Sequence, residues 1–163
     1  AIGLVGSEMC IRDRFIDEIN STKEVFEKIF EENQWNPENV CSLDTNVAKN
    51  LEIKSIRKID NENVKALVTE CEFLISNTGR ILICNKQIKS NKIEDLPSVL
   101  IVLAKSNQFV SDVSEGMTKI KNKYKGNFPK NITTLNVKNK LNEDNFLTYG
   151  NGAKDIYLIL SDD

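Results

Sequence analysis

Apolar residues recur along this chain in two alternating patterns, short strand-like runs and longer segments with a helical period. The runs that predict strands are residues 15–19, 39–43, 66–69, 73–75, 81–84 and 96–104, a segment from residue 132, and residues 156–160. The run over residues 96–104 is apolar nearly throughout, which is typical of a strand that is covered on both faces. Strands alternating with helices predict an α/β fold with a mostly parallel sheet flanked by helices.

Helix signals separate the first strand-like runs. Ser21 and Glu24 form a capping box that opens one helix, and this helix should end before Pro37. Asp44 can cap a second, short helix over residues 45–50.

Further along the chain, an apolar stripe with a period of three to four residues predicts a third helix that packs one face on the sheet. Its members are Phe109, Val113, Met117, Ile120 and Tyr124. Before it, Gly79 ends a polar turn and can adopt the positive φ that a tight turn requires. We therefore expect residues 73–75 and 81–84 to pair as a β-hairpin.

The first 14 residues fit neither pattern. The codons CTC GTG GGC TCG GAG ATG TGT ATA AGA GAC translate to the residues Leu4 to Asp13, and this string matches the transposon adapter used in short-read DNA sequencing. We expect residues 1–14 to be an adapter-derived leader that is not native, and residues 15–163 to be a single domain, truncated at its N-terminus. A domain of that length can bury one sizeable core.

Composition excludes several kinds of site and partner. The chain contains no histidine, so catalytic sets and metal sites built on histidine are ruled out. A net charge of -2 gives no electrostatic reason to bind nucleic acid. No apolar run approaches the ~20 residues that cross a bilayer. We expect no metal, no nucleic acid and no membrane among its partners, and we interpret the lysine-rich segment KIKNKYKGNFPKN as a solvated helix end and loop, with phosphate binding as the alternative.

Three cysteines lie outside the leader, namely Cys41, Cys71 and Cys84. They are far apart in sequence and each stands beside apolar residues, so we expect buried, reduced thiols in a cytoplasmic protein. Three scattered cysteines cannot supply the four thiolates of an iron–sulfur cluster.

Polar loops next to the predicted strands hold the candidate ligand-binding residues. In open parallel sheets, ligands bind beyond the carboxyl ends of strands, where amides, hydroxyls and loop N–H groups can hold a small anion. The candidates are Asn77, Thr78, Gly79, Ser106, Asn131, Thr133, Gly150, Asn151 and Gly152. Asparagine and glycine in such places are also ordinary turn formers. Glu70 and Glu72 share one face by strand periodicity, as paired carboxylates would, although we favour a solvated edge strand.

Three motifs, ISNTGRILI, PKNIT and YGNG, occur in the order in which the LUD domain, the lactate-utilisation family, carries similar segments. The chain resembles small single-domain bacterial members of the lactate utilization protein C kind. The resemblance implies the NagB/RpiA/CoA-transferase-like fold and a role in converting L-lactate to pyruvate with iron–sulfur partner proteins, with no cofactor on this chain. Family members often have an acid where this chain has Asn77, and an amide cannot shuttle a proton at neutral pH.

Three functions remain open at this point. The favoured one is an accessory or ligand-binding component of a lactate-oxidising complex, because the sequence shows no acid–base or nucleophile set. The second is a stand-alone enzyme of the same superfold that acts on a phosphorylated or CoA-like ligand. The third is a structural domain that pairs with another subunit through an exposed sheet edge, which predicts an apolar patch without a polar cleft.

Overall fold

The computed structural model describes residues 11–16, 22–59, 63–137 and 153–161, and these form an α/β fold, as predicted. The strands are β1 (Ile11–Ile16), β2 (Val40–Ser42), β3 (Lys54–Ser55), β4 (Ala66–Glu70), β5 (Phe73–Ile75), β6 (Arg80–Ile83), β7 (Val99–Lys105), β8 (Phe109–Val110), β9 (Thr133–Val137) and β10 (Ala153–Ser161). The helices are α1 (Thr22–Asn33), α2 (Thr45–Leu51), α3 (Asn85–Ile88) and α4 (Val113–Lys123).

The main sheet is parallel, with the strand order β3–β2–β4–β7–β10, and β1 pairs with the other edge of β10. The central strand β7 lies between β4 and β10. Leu100, Ile101 and Val102 of β7 are fully buried although they alternate in direction. This burial confirms that the strand is covered on both faces.

A smaller sheet, in the order β9–β6–β5–β8, joins the main sheet where β9 pairs with the first two residues of β10. Its β5 and β6 form the expected antiparallel hairpin, with Leu74 opposite Ile81. Gly79 adopts a φ of 70° in the connecting turn, a conformation that glycine adopts without steric cost.

The core is divided among three interfaces between four layers. Helices α1 and α2 cover one face of the main sheet, and Phe26 and Ile29 of α1 belong to the same buried apolar cluster as Ile101 and Ile159 of the sheet. The smaller sheet covers the opposite face. Helix α4 covers the outer side of that smaller sheet, where Ile120 is buried.

Local signals explain where two helices begin. Asp44 caps α2, because its carboxylate accepts hydrogen bonds from the backbone N–H groups of Asn46 at 2.8 Å and Val47 at 3.2 Å. Asp112 caps α4 by accepting from the N–H of Glu115 at 2.8 Å. The cap fixes the start of α4 at Val113, so Phe109 lies before the helix.

Two sequence predictions need correction. Phe109 belongs to the short strand β8, which pairs with β5, and not to the helix that follows. The apolar period included it because it lies four residues before Val113. The first strand spans Ile11–Ile16 and overlaps the predicted residues 15–19 by two positions; residues 17–20 lie outside the described part. The domain boundary at residue 14 remains a prediction.

We expect Gly79→Ala to lower the free energy of unfolding by about 1–2 kcal/mol, because a Cβ atom is strained at positive φ. Chemical denaturation measures this change. Thr78→Ala is the control at the preceding, exposed position of the same turn, and it should stay within about 0.5 kcal/mol of the unaltered chain. Equal effects of the two changes would show that the hairpin does not depend on the glycine.

Candidate functional site

A crevice of about 340 Å³ opens at the carboxyl ends of β4, β7 and β10. Its lining residues are Asn50, Glu70, Leu103, Ala104, Lys105, Gln108, Ile159 and Ser161. After β2 the chain enters α2 on one face of the sheet, whereas after β4 it enters the smaller sheet on the other face. Crevices form where loops leave neighbouring strands toward opposite faces, and ligands of open parallel sheets bind there.

The rim of the crevice brings together a cation, a carboxylate and a hydroxyl group. In the strand register, Glu70 lies opposite Leu103, and Lys105 lies opposite Ser161. Alternation along each strand directs all four of these side chains to the face that α1 and α2 cover. Both Glu70 and Lys105 are exposed, and neither takes part in an ion pair among the described residues.

Gln108 fixes the wall of this crevice. Its Oε1 accepts a hydrogen bond from the backbone N–H of Lys105 at 2.7 Å. Its Nε2 donates to the carbonyl oxygens of Cys71 at 2.9 Å and Glu72 at 3.0 Å. One amide therefore ties the end of β7 to the segment that follows β4.

Glu72 is a carboxylate that is only 1% exposed. Its Oε1 accepts hydrogen bonds from the Tyr124 hydroxyl at 2.5 Å and from Gln87 Nε2 at 3.1 Å, and its Oε2 pairs with Lys123 Nζ at 3.0 Å. The Cys84 thiol lies 3.6 Å from Oε1. A carboxylate is stable in such surroundings only when its charge is paired and its oxygens are hydrogen-bonded.

The donors decide the ionisation of Glu72. Burial by itself raises the pKa of this carboxyl, but the hydrogen bonds from Tyr124, Gln87 and Lys123 outweigh burial and hold the pKa below its ordinary value. Burial also acts to lower the pKa of Lys123, and the contact with Glu72 reverses this and raises it. Both groups are therefore charged at neutral pH.

A second contact orders the lysines around this network. The Nζ atoms of Lys123 and Lys86 lie 5.1 Å and 5.7 Å from the centre of the Tyr124 ring. Cations at this distance from an aromatic ring are attracted to it. The ring therefore orients two side chains at the end of α4 and the start of α3.

The sequence interpretation of Glu70 and Glu72 is corrected by the structure. Strand β4 is not an edge strand, because it lies between β2 and β7. Glu70 is exposed at its end, while Glu72 has left the strand and is buried between the smaller sheet and α4. The two carboxylates therefore have different surroundings and do not form a pair.

The three predicted buried cysteines, Cys41, Cys71 and Cys84, are buried and unpaired, as expected. Burial raises the pKa of all three thiols, and that of Cys41 rises to about 11. They are therefore protonated at neutral pH and are poor nucleophiles.

The structure places the predicted ligand-binding residues in separate loops. Asn77, Thr78 and Gly79 form the hairpin turn before β6. Asn131 and Thr133 lie at the start of β9, which pairs with the end of β6 through Thr133 and Ile83. Strand β6 separates the two loops by roughly 10 Å, about three residue rises.

Consequently these residues do not meet in one hollow, and among the described candidates Ser106 alone adjoins the crevice, directly after Lys105. Strand β6 is antiparallel to both β5 and β9, so the turn that precedes β6 and the loop that precedes β9 lie at opposite ends of β6. Gly150, Asn151 and Gly152 lie outside the described residues. Ligand binding by the candidates stays a prediction.

The sequence reasoning did not single out Lys105 or Gln108, and it did not predict that Glu72 is buried. Lys105 had a signal, because it is the first charged residue after the apolar run of the central strand and must lie at its carboxyl end. Gln108 and the burial of Glu72 had none, because their partners come from distant parts of the chain.

Within residues 11–16, 22–59, 63–137 and 153–161, no cluster of three cysteine or carboxylate side chains is suited to hold a metal ion. No helix in those ranges combines the length and the apolar character that crossing a membrane requires.

We expect Glu72→Gln to lower the free energy of unfolding by roughly 2–4 kcal/mol, because Lys123 loses its counter-charge and an amide N–H₂ must face the other donors. Denaturant titration at pH 7 measures the loss. Glu70→Gln is the control on an exposed carboxylate and should change stability by less than about 0.5 kcal/mol. A loss as small as that of Glu70→Gln would show that the hydrogen bonds and the ion pair of Glu72 do not stabilise the fold.

The stabilisation by Glu72 should depend on pH. Because its pKa is lower in the folded chain than in the unfolded chain, the stabilisation is complete above the unfolded pKa, about 4.3, and disappears as the pH falls through the folded pKa. The stability difference between the unaltered chain and Glu72→Gln should therefore shrink on going from pH 7 to pH 3. A stability difference that grows as the pH falls would show that folding raises the pKa of Glu72 instead of lowering it.

Comparisons with known proteins agree with this architecture. A protein of the DUF162 family from Deinococcus radiodurans, solved by crystallography, is similar with a TM-score of 0.55 at 13% sequence identity, over 94% of this chain and 88% of that chain. At this identity the likeness concerns the fold alone. No curated protein matches the chain. The family model of the LUD domain matches residues 1–161, and the chain therefore belongs to the LUD domain family.

Proposed function

We propose that this domain is a ligand-binding accessory component of bacterial L-lactate utilisation, which binds a small carboxylate while iron–sulfur partner proteins transfer the electrons in the cytoplasm. Membership of the LUD domain family supports the metabolic assignment. The single observation that carries the binding assignment is Lys105 at the carboxyl end of the central strand, which forms no ion pair with any described residue and lies on the rim of a crevice of about 340 Å³.

The rim of the crevice suits a small 2-hydroxy acid. The Lys105 ammonium can pair with the carboxylate through a charge-assisted hydrogen bond. Glu70 and Ser161 offer an acceptor and a hydroxyl for the 2-hydroxyl group. The crevice is at the small end of the 300–1,000 Å³ range of ligand pockets, which favours a small ligand over a nucleotide-sized one.

The chemistry of the described side chains favours a binding role. Oxidation of lactate to pyruvate removes two electrons and two protons, and we assign their transfer to the partner proteins. The buried thiols are protonated because burial raises their pKa values. Glu70 is exposed, and among the described residues it forms no ion pair that would orient it as a general base.

Ligand titration tests this proposal. L-lactate, pyruvate, a nucleotide and CoA are added separately to the purified chain, with the melting temperature and the heat of binding as measurements. We expect L-lactate or pyruvate to raise the melting temperature, because a ligand that binds only the folded state stabilises it.

Variants locate the binding site in the same titration. Lys105→Ala should weaken binding at least tenfold, about 1.4 kcal/mol, whereas Lys130→Ala, at another exposed lysine, should leave it unchanged. Stabilisation by CoA or the nucleotide alone would contradict the proposal and favour a stand-alone enzyme. If the Lys105→Ala variant binds lactate as tightly as the unaltered chain, the crevice is not the lactate-binding site.

A further inference from the structure

A second cavity of about 340 Å³ forms a groove along α1 that shares none of the crevice residues. Its lining residues are Lys23, Phe26, Glu27, Phe30, Glu31, Pro37, Leu51, Glu52 and Ile53. We refer to these nine residues as the α1 groove. The described function uses none of them.

Helix α1 forms one long wall of the α1 groove. Its five groove residues fall at the i, i+3, i+4, i+7 and i+8 positions that share one face of a helix. From Lys23 to Glu31 this wall is about 12 Å long, at ~1.5 Å per residue. Two turns of a helix, or about four residues of an extended strand, match that length.

The floor of the groove is apolar and held in place. The rings of Phe26 and Phe30 pack with their centres 4.7 Å apart, and Trp35 packs edge-on against Phe30 at 6.3 Å. Phe26 is only 3% exposed, whereas Phe30 is partly open to the groove. A ring that is fixed from behind and open in front offers a surface for a bulky apolar side chain.

The rim of the groove is acidic. Lys23 is neutralised by Glu52, with Nζ and Oε2 3.0 Å apart. Glu27 and Glu31 are exposed, and neither has a side-chain hydrogen bond or an ion pair among the described residues. Two negative charges that form no ion pair with any described residue therefore stand one helical turn apart beside the apolar floor.

We propose that the α1 groove docks a short segment of a partner protein in which a lysine or arginine stands beside a large apolar residue. The apolar side chain covers Phe30 and Leu51. The cation pairs with Glu27 and Glu31, and it gains a further attraction from the Phe30 ring. Charge complementarity selects this partner over an acidic one, since like charges across an interface are strongly disfavoured.

Selection from random heptapeptides displayed on phage, with the full chain as bait, tests this proposal without a known partner. We expect the enriched peptides to combine a basic residue with a leucine or an aromatic residue. Synthetic copies should bind the double variant Glu27→Lys/Glu31→Lys at least tenfold more weakly than the unaltered chain. Binding to Glu94→Lys/Asp95→Lys, at two exposed acids outside the groove, should stay within twofold.

Three results would overturn the proposal: no enriched peptide, an enriched set without basic residues, or peptides that bind the Glu27→Lys/Glu31→Lys variant as tightly as they bind the unaltered chain. Thermal melts establish that each variant is folded. If the double lysine variant does not fold, Glu27→Gln/Glu31→Gln removes the two charges with less perturbation and must then weaken binding. The lactate titration is a separate measurement, because the crevice that Lys105 lines and the α1 groove share no lining residue. Failure of one proposal therefore leaves the other to be judged on its own result.

Discussion

The arrangement of the smaller sheet and α4 depends on one ionised carboxylate that is almost fully removed from solvent, that of Glu72. Removing such a charge from water costs several kcal/mol, and the cost is offset only if donors occupy both oxygens. The donors come from α3, from the end of α4 and from the residue that follows α4. These parts of the chain must therefore be in place together, which couples the folding of the hairpin layer to that of the outer helix.

The same segment also supports the crevice. Gln108 donates to the carbonyl oxygens of Cys71 and Glu72 while it accepts from the backbone of Lys105. The backbone that holds the buried carboxylate thus also fixes the position of the crevice lysine. A binding site whose first contacts are held by such a second layer of hydrogen bonds loses less entropy when a ligand arrives.

Much of the fold could be predicted because its signals are local. The apolar run of β7, the glycine in the hairpin turn and the Asp44 cap each act within a few residues of the structure they specify. The site was harder to predict, since Tyr124 lies 52 residues from Glu72 in sequence. No periodicity indicates such a contact. The polar segment at Asn77–Gly79 that stood out in the sequence is a hairpin turn, whereas the crevice is built from strand ends.

Carbon-13 NMR of the glutamate side-chain carboxyls as a function of pH measures the ionisation of Glu72 directly. The Glu72 signal is assigned as the one that is absent from the Glu72→Gln variant, and the urea-unfolded chain supplies the ordinary glutamate midpoint, about 4.3. We expect Glu72 in the folded chain to protonate at a lower pH than that reference, because its donors hold the charge. A Glu72 midpoint at or above the reference would show that burial dominates and that the donors do not hold the carboxylate ionised.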